Sequence, residues 1–119
     1  MITKVAFIGY PVRDMKRAKK FYGEVLGLKL AAQYENKWCE FDTPDGKSIG
    51  LDTLSPDGTP PYLALETDDI VAEVERLKRN DVKIVLDVLD NKVCKMAIIE
   101  DSEGNKLMLH QMSPERVKG

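Results

Sequence analysis

Residues 4–12 are rich in β-branched and aromatic side chains and predict a strand, with Pro11 tolerated near its end. Asp14 then stands where a helix needs an N-cap. Met15, Ala18, Phe21, Tyr22 and Val25 follow at helical spacing, with Lys and Arg on the other face. Gly27 closes that helix as a C′ residue. Three short strands follow over 29–34, 37–42 and 48–53, the last two joined by the turn Thr43-Pro44-Asp45-Gly46-Lys47. Residues 55–61, with three prolines and Gly58, form a connector. After it the order restarts with a strand over 62–67. A helix capped by Asp68 or Asp69 comes next, with Ile70, Val71, Val74 and Leu77 as its buried stripe. Asn80-Asp81 turns the chain into a strand over 82–88. A hairpin of 93–100 with 106–111 surrounds Asp101-Ser102-Glu103-Gly104-Asn105.

The second half repeats the first. Val12-Arg13-Asp14-Met15 matches Thr67-Asp68-Asp69-Ile70 at an offset of 55 residues, and Asp45-Gly46 matches Glu103-Gly104 at an offset of 58. A repeat of this length is a whole supersecondary unit, here β-α-β-β-β written twice. The predicted class is α+β. The chain reads as a single domain, with module 1 over about 1–54, a linker over 55–61, module 2 over about 62–112 and a loose polar tail over 113–119.

Composition narrows the functions. The 119 residues are enough for one core without staples. Net charge is −2 and the pI near 5.4, so no basic excess exists to displace counterions from a nucleic acid. Apolar runs are only a few residues long, far short of the roughly 20 that span a bilayer, so no membrane partner is expected. Cys39 and Cys94 are too few for a disulfide framework, and the N-terminal residues lack the regions of a signal peptide. The expectation is a reduced, cytoplasmic protein.

The run Val12-Arg13-Asp14-Met15 with Ala18, Phe21-Tyr22 and Val25-Leu26-Gly27-Leu28 resembles the opening of vicinal oxygen chelate proteins. That superfamily includes glyoxalases, bleomycin-resistance proteins, fosfomycin-resistance enzymes and extradiol dioxygenases. Glu66-Thr67-Asp68-Asp69-Ile70 and Asp101-Ser102-Glu103-Gly104-Asn105 carry the likeness through the second half. The resemblance implies paired β-α-β-β-β modules whose mixed sheets curl around a cleft with the helices outside, frequent homodimers, and in the enzymes a divalent metal. Its ligands would be a His in the first strand of a module and a Glu, Gln or His in the last. Carried onto this sequence, those positions are Phe7, Tyr62, Gly50 and Met108. Phe and Gly offer no donor, and Met is a poor ligand for Mg, Mn, Ni or Zn. Tyr ionises only near pH 10. No metal and no cofactor are expected.

Strand alternation assigns the faces. Cys39, Phe41, Ile49 and Leu51 suit the helix side of the first half, and Ala97, Ile99, Leu107 and Leu109 that of the second. The opposite faces then receive Trp38, Glu40, Ser48, Gly50 and Asp52, and Cys94, Met96, Ile98, Met108 and His110. Phe7, Tyr62, Ala64 and Glu66 join them. From these, Phe7, Trp38, Glu40, Tyr62, Cys94, Met96, Met108 and His110 form a lining suited to a small, partly hydrophobic ligand. Glu40 and His110 are the candidates for acid–base work. Each has a plainer reading: the aromatics and methionines as core filling, His110 as a solvated strand-end residue, Glu40 as a paired or exposed acid. Cys94 reads as a small buried hydrophobe, because strand pairing sets Met96 rather than Cys94 beside His110. The expected function is metal-free ligand binding of the bleomycin-resistance kind. The competing expectation is a glyoxalase-like lyase or isomerase, or a dioxygenase, with a divergent metal site or metal-free acid–base chemistry.

Overall fold

In this computed structural model residues 1–113 are described; of the expected tail, 114–119 lie outside the described residues. The elements are β1 (Ile2–Pro11), α1 (Met15–Lys20), β2 (Lys29–Tyr34), β3 (Trp38–Asp42), β4 (Ser48–Asp52), β5 (Tyr62–Thr67), α2 (Ile70–Arg79), β6 (Ile84–Asp90), β7 (Cys94–Glu100) and β8 (Lys106–Met112). The order β-α-β-β-β occurs twice, as the repeat predicts. Among the described residues no helix is long and apolar enough to cross a membrane.

Both helix starts follow from their caps. Asp14 is extended and its Oδ1 accepts from the Arg17 amide at 3.0 Å. Asp69 does the same for the Ala72 amide at 3.1 Å. Asp68 instead takes the terminal ammonium of Met1 at 2.9 Å. α1 does not run regularly to Gly27. Over Phe21–Val25 it widens into a π-helical turn, with the Leu26 amide donating to the Phe21 carbonyl. Met15, Ala18 and Tyr22 then pack inward, while Phe21 and Val25 face solvent. Gly27 follows at φ +76°, where a side chain would be strained.

Val71 also departs from expectation, at 52% exposed. Ile70, Val74 and Leu77 already fill the inward face, and position 71 lies about 100° around the helix from 70. β6 begins two residues later than predicted because the Val82 amide is taken by the Leu77 carbonyl in the turn that ends α2.

The chain divides by contacts into two compact units, Phe7–Tyr62 and Met1–Ala6 with 63–113. Within the first, β2 pairs antiparallel with β3 and β3 with β4, while β4 runs parallel to Ile8–Pro11 of β1. Within the second, β6 pairs antiparallel with β7 and β7 with β8, while β8 runs parallel to β5. The start of β1 joins this second unit through Met1, and through Thr3, whose hydroxyl donates to the Glu66 carbonyl at 3.3 Å. The two hairpins share one register. Trp38 faces Asp52 and Glu40 faces Gly50, just as Met96 faces His110 and Ile98 faces Met108.

Each unit has its own core, on the helix side of its sheet. Met15 packs with Cys39, Phe41 and Leu51 in one. Ile70 and Val74 pack with Ala97, Ile99 and Leu109 in the other. These are the strand residues that alternation assigns to the helix side.

Candidate functional site

Opposite the helix in the first unit lies an aromatic face. Trp38 on β3 lies across β4 at Gly50, so closely that a Cβ there would sit 2.2 Å from the indole. The indole Nε1 donates to Glu40 Oε1 at 3.0 Å, two residues along the same face. The Phe7 ring meets Trp38 edge-on at 4.9 Å and Tyr62 at 6.3 Å. Tyr62 in turn covers Gly9, where a Cβ would lie 2.1 Å from its ring. Its hydroxyl donates to Asp52 Oδ2 at 2.8 Å. Asp52 Oδ1 accepts from the backbone amides of Ser55 and Leu54, so this buried carboxylate is fully engaged. Burial, reinforced by the Asp52 charge, pushes the Tyr62 phenol well above its ordinary pKa. Tyr62 is therefore a neutral donor.

In the second unit the corresponding face carries an ionisable cluster. His110 on β8 is 6% exposed, and its Nδ1 lies 2.7 Å from Glu66 Oε1 on β5. A carboxylate can only accept, so Nδ1 carries the hydrogen. Glu66 Oε2 accepts from the Met112 amide at 2.8 Å. Burial alone raises the Glu66 carboxyl. The hydrogen bonds from His110 and the Met112 amide, helped by the charges of His110 and Lys4, outweigh it and hold the group below its usual range. Burial likewise lowers the imidazole, but hydrogen bonds and charge from Cys94 and Glu66 push it up to about 9. The ring is thus an imidazolium at neutral pH.

This arrangement corrects two expectations. His110 is not a solvated strand-end residue. Cys94 does reach it, although the register pairs Met96 with His110 as predicted. Cys94 faces Met112, one diagonal step from His110, and diagonal neighbours on one sheet face remain within side-chain reach. Alternation puts Glu66 on this face but gives it no partner; the partner follows from β5 running parallel to β8 with Glu66 opposite His110.

Phe7, Trp38, Glu40 and Tyr62 thus come together in one unit, and Cys94, Met96, Met108 and His110 share one sheet face in the other. The four positions carried over from the superfamily's metal ligands do not fit a divalent ion. Phe7 has no donor, Gly50 has none and lies against an indole, the Tyr62 hydroxyl is given to Asp52, and Met108 offers a thioether. Among the described residues no three His, Cys, Asp or Glu side chains converge as metal ligands would. A hollow of about 390 Å³ over the start of α1, between Arg13, Arg17, Phe21 and Tyr22, contains none of the expected site residues.

The sequence profile of the Glyoxalase/Bleomycin resistance protein/Dioxygenase superfamily matches residues 4–109. Among solved structures, methylmalonyl-CoA epimerase from Mycobacterium tuberculosis is similar over 99% of this chain and 93% of its own, with 21% identity and a TM-score of 0.77. A hypothetical protein from Bacillus halodurans C-125 matches over 92% of this chain and 94% of its own, at 18% identity and a TM-score of 0.74. A glyoxalase/bleomycin resistance protein/dioxygenase superfamily member from Vibrio splendidus 12B01 matches over 93% and 100%, at 17% identity and a TM-score of 0.67. At such identities the likeness is one of fold. No curated protein sequence matches the chain.

Proposed function

The chain belongs to the Glyoxalase/Bleomycin resistance protein/Dioxygenase superfamily, and from that premise we propose that it binds a small, partly hydrophobic molecule on the sheet faces opposite its helices, without a divalent metal. On the first module Phe7, Trp38 and Tyr62 offer flat apolar contact, with Glu40 as the orienting acid. On the second, Cys94, Met96 and Met108 offer soft apolar contact, with His110 as the orienting cation. The observation that carries the reading is the lining itself: apolar and aromatic side chains with a few polar groups held by specific partners, the composition of an organic-ligand site. Binding of this kind sequesters a molecule and requires no metal. We also read the two modules as one cytoplasmic domain that forms a homodimer. The outer strands favour assembly, since Leu30 and Tyr34 on β2 and Val85, Leu86 and Leu89 on β6 are exposed.

A second reading, acid–base catalysis, is favoured by one observation. His110 is buried against a carboxylate and a thiol, the environment that tunes a proton-transfer group. The test is a thermal-shift screen of small aromatic and conjugated compounds, each repeated with Ni, Zn, Mn and Mg, followed by calorimetry on hits. Metal-independent shifts that weaken in Trp38→Ala or His110→Asn support binding. Shifts seen only with metal, or none at all, overturn it.

A further inference from the structure

We propose that Cys94, His110 and Glu66 form a thiol relay that adds Cys94 covalently to small α,β-unsaturated carbonyl compounds. The inference rests on the second module's sheet face being a small-molecule site, and adds a reaction to it. Three strands bring the groups together: β7 supplies Cys94, β8 supplies His110 and β5 supplies Glu66. Glu66 is fixed at both oxygens, by the Met112 amide at 2.8 Å and by His110 Nδ1 at 2.7 Å. With Nδ1–H committed to the carboxylate, Nε2 is the ring nitrogen left to exchange a proton with Cys94, which lies one diagonal step away on the same sheet face. A thiol beside a base that a third group orients is the general pattern of an activated nucleophile. Cys94 and His110 are the catalytic residues; Glu66 is a positioning residue.

The step balances without a co-reactant. In the reactive pair the shared proton rests on His110 Nε2, so that a Cys94 thiolate stands beside the imidazolium. A sulfur lone pair forms the C–S bond to the β-carbon, and the C=C π pair moves to the carbonyl oxygen as an enolate. His110 then returns the proton to the α-carbon. One S–H has added across one C=C; nothing is oxidised and no group leaves. The substrate class follows from the surroundings. A thiolate is a soft nucleophile, and Met96 and Met108 on the same face are soft and apolar. The Glu66 carboxylate would repel an anionic electrophile, so a small uncharged enone fits.

The test uses cyclohexenone on the full chain, with intact mass and peptide mapping to locate the adduct. Cys39, fully buried, is the internal control. The groups that set the pH response of His110 are Glu66 from β5 and Cys94 from β7, with Lys4 of β1 acting on Glu66. The expected result is a single adduct at Cys94. Its rate should change less than about threefold between about pH 6.5 and 8, where an ordinary thiol rises roughly tenfold per unit. His110→Gln should slow it at least about tenfold at neutral pH and restore the ordinary slope, and Glu66→Gln should steepen the slope partway. The profile of the unaltered protein is decisive by itself, so the result does not depend on the variants folding. An ordinary thiol slope there, no adduct at Cys94, or equal labelling of Cys39 overturns the relay. Cyclohexanone, which lacks the C=C, separates the two readings on the unaltered protein. A reversible thermal shift with cyclohexanone but no adduct from cyclohexenone overturns the relay and leaves binding standing, whereas no shift with either overturns binding at this face as well.

Discussion

Gly50→Ala is the sharpest test of how the first module fills the position from which the superfamily would present a metal ligand. The added Cβ would lie 2.2 Å from one indole carbon of Trp38 and 2.6 Å from another, against an ordinary contact of 3.4–4 Å. The ring must retreat by more than about 1 Å, and it is not free to do so. Its Nε1 is held by Glu40 at 3.0 Å, and the Phe7 ring abuts it at 4.9 Å. Overpacking of this kind costs about 1–3 kcal/mol, and losing the indole hydrogen bond adds about 1 kcal/mol. The sum is about 2–4 kcal/mol. For a domain of this size it lowers Tm by roughly 3–6 °C per kcal/mol. The cost belongs to the indole and not to the backbone, because Gly50 has no positive φ. In a Trp38→Leu background the same change should therefore be neutral, or stabilising by up to about 1 kcal/mol through the unfolded state. Urea unfolding followed by far-ultraviolet circular dichroism on the four proteins of the cycle gives the coupling directly, expected at about 2–5 kcal/mol from the two costs. Additive costs, or a Gly50→Ala protein within about 0.5 kcal/mol of the parent, would refute the packing argument.

Other expectations can be checked on the same preparations. His110 has its folded pKa raised from 6.5 to about 9, so its contribution is fully present below about pH 6.5 and is lost as pH rises through about 9. The stability gap between the parent and His110→Gln, on the order of 2–3 kcal/mol in acid, should close toward pH 10 in urea titrations. A gap that widens with pH contradicts the assignment. Arg76→Met removes the partner that contacts Glu73 at 2.6 Å, leaving a carboxyl that is only 4% exposed beside the more distant Met1 ammonium. Because Arg76 is itself half exposed, a loss of about 1–2 kcal/mol is expected by thermal unfolding. Elemental analysis after dialysis should find well under one equivalent of divalent metal, and a chelator should leave Tm unchanged; one tightly held equivalent, lost with stability on chelation, would overturn the metal-free reading.

Much of this architecture is legible because it depends on local rules. Asp14 and Asp69 each accept an amide hydrogen at a helix start, and Gly27 adopts a φ that favours glycine. Period-2 alternation then separates Cys39, Phe41 and Leu51 from Trp38, Glu40 and Gly50 without any tertiary information. The less legible features depend on neighbours that a linear pattern does not rank. The π-helical turn at Phe21–Val25 arises from hydrogen bonding within the helix end, whereas Phe21 and Val25 still satisfy an apolar stripe in sequence. The register sets Met96 opposite His110 and Cys94 opposite Met112, and only the diagonal geometry of the sheet brings Cys94 near His110. Glu66 and His110 are 44 residues apart, and the bond between them follows from the parallel pairing of β5 with β8.

The shared register of the two hairpins makes their differences interpretable. Trp38, Gly50 and Asp52 hold the places that Met96, Met108 and His110 hold in the second repeat. In the first, a rigid indole covers a glycine, and the carboxylate is closed off by a phenol and two amides. Its hydrogen bonds are satisfied internally, so changes there act first on stability. In the second, two flexible thioethers replace the indole and the glycine, and an imidazole replaces the carboxylate. That ring bonds to a carboxylate and lies diagonal to a partly exposed thiol, an arrangement that can move a proton without dismantling the fold. The two repeats therefore predict opposite phenotypes at equivalent positions. Asp52→Asn should lower Tm by weakening the Tyr62 and backbone bonds, at about 1–2 kcal/mol, and leave Cys94 reactivity unchanged. His110→Gln should change the rate and pH profile of Cys94 out of proportion to its effect on Tm measured at about pH 10, where the ring's charge has been lost. Equal behaviour of the two variants in both assays would mean that the repeats differ in composition but not in role.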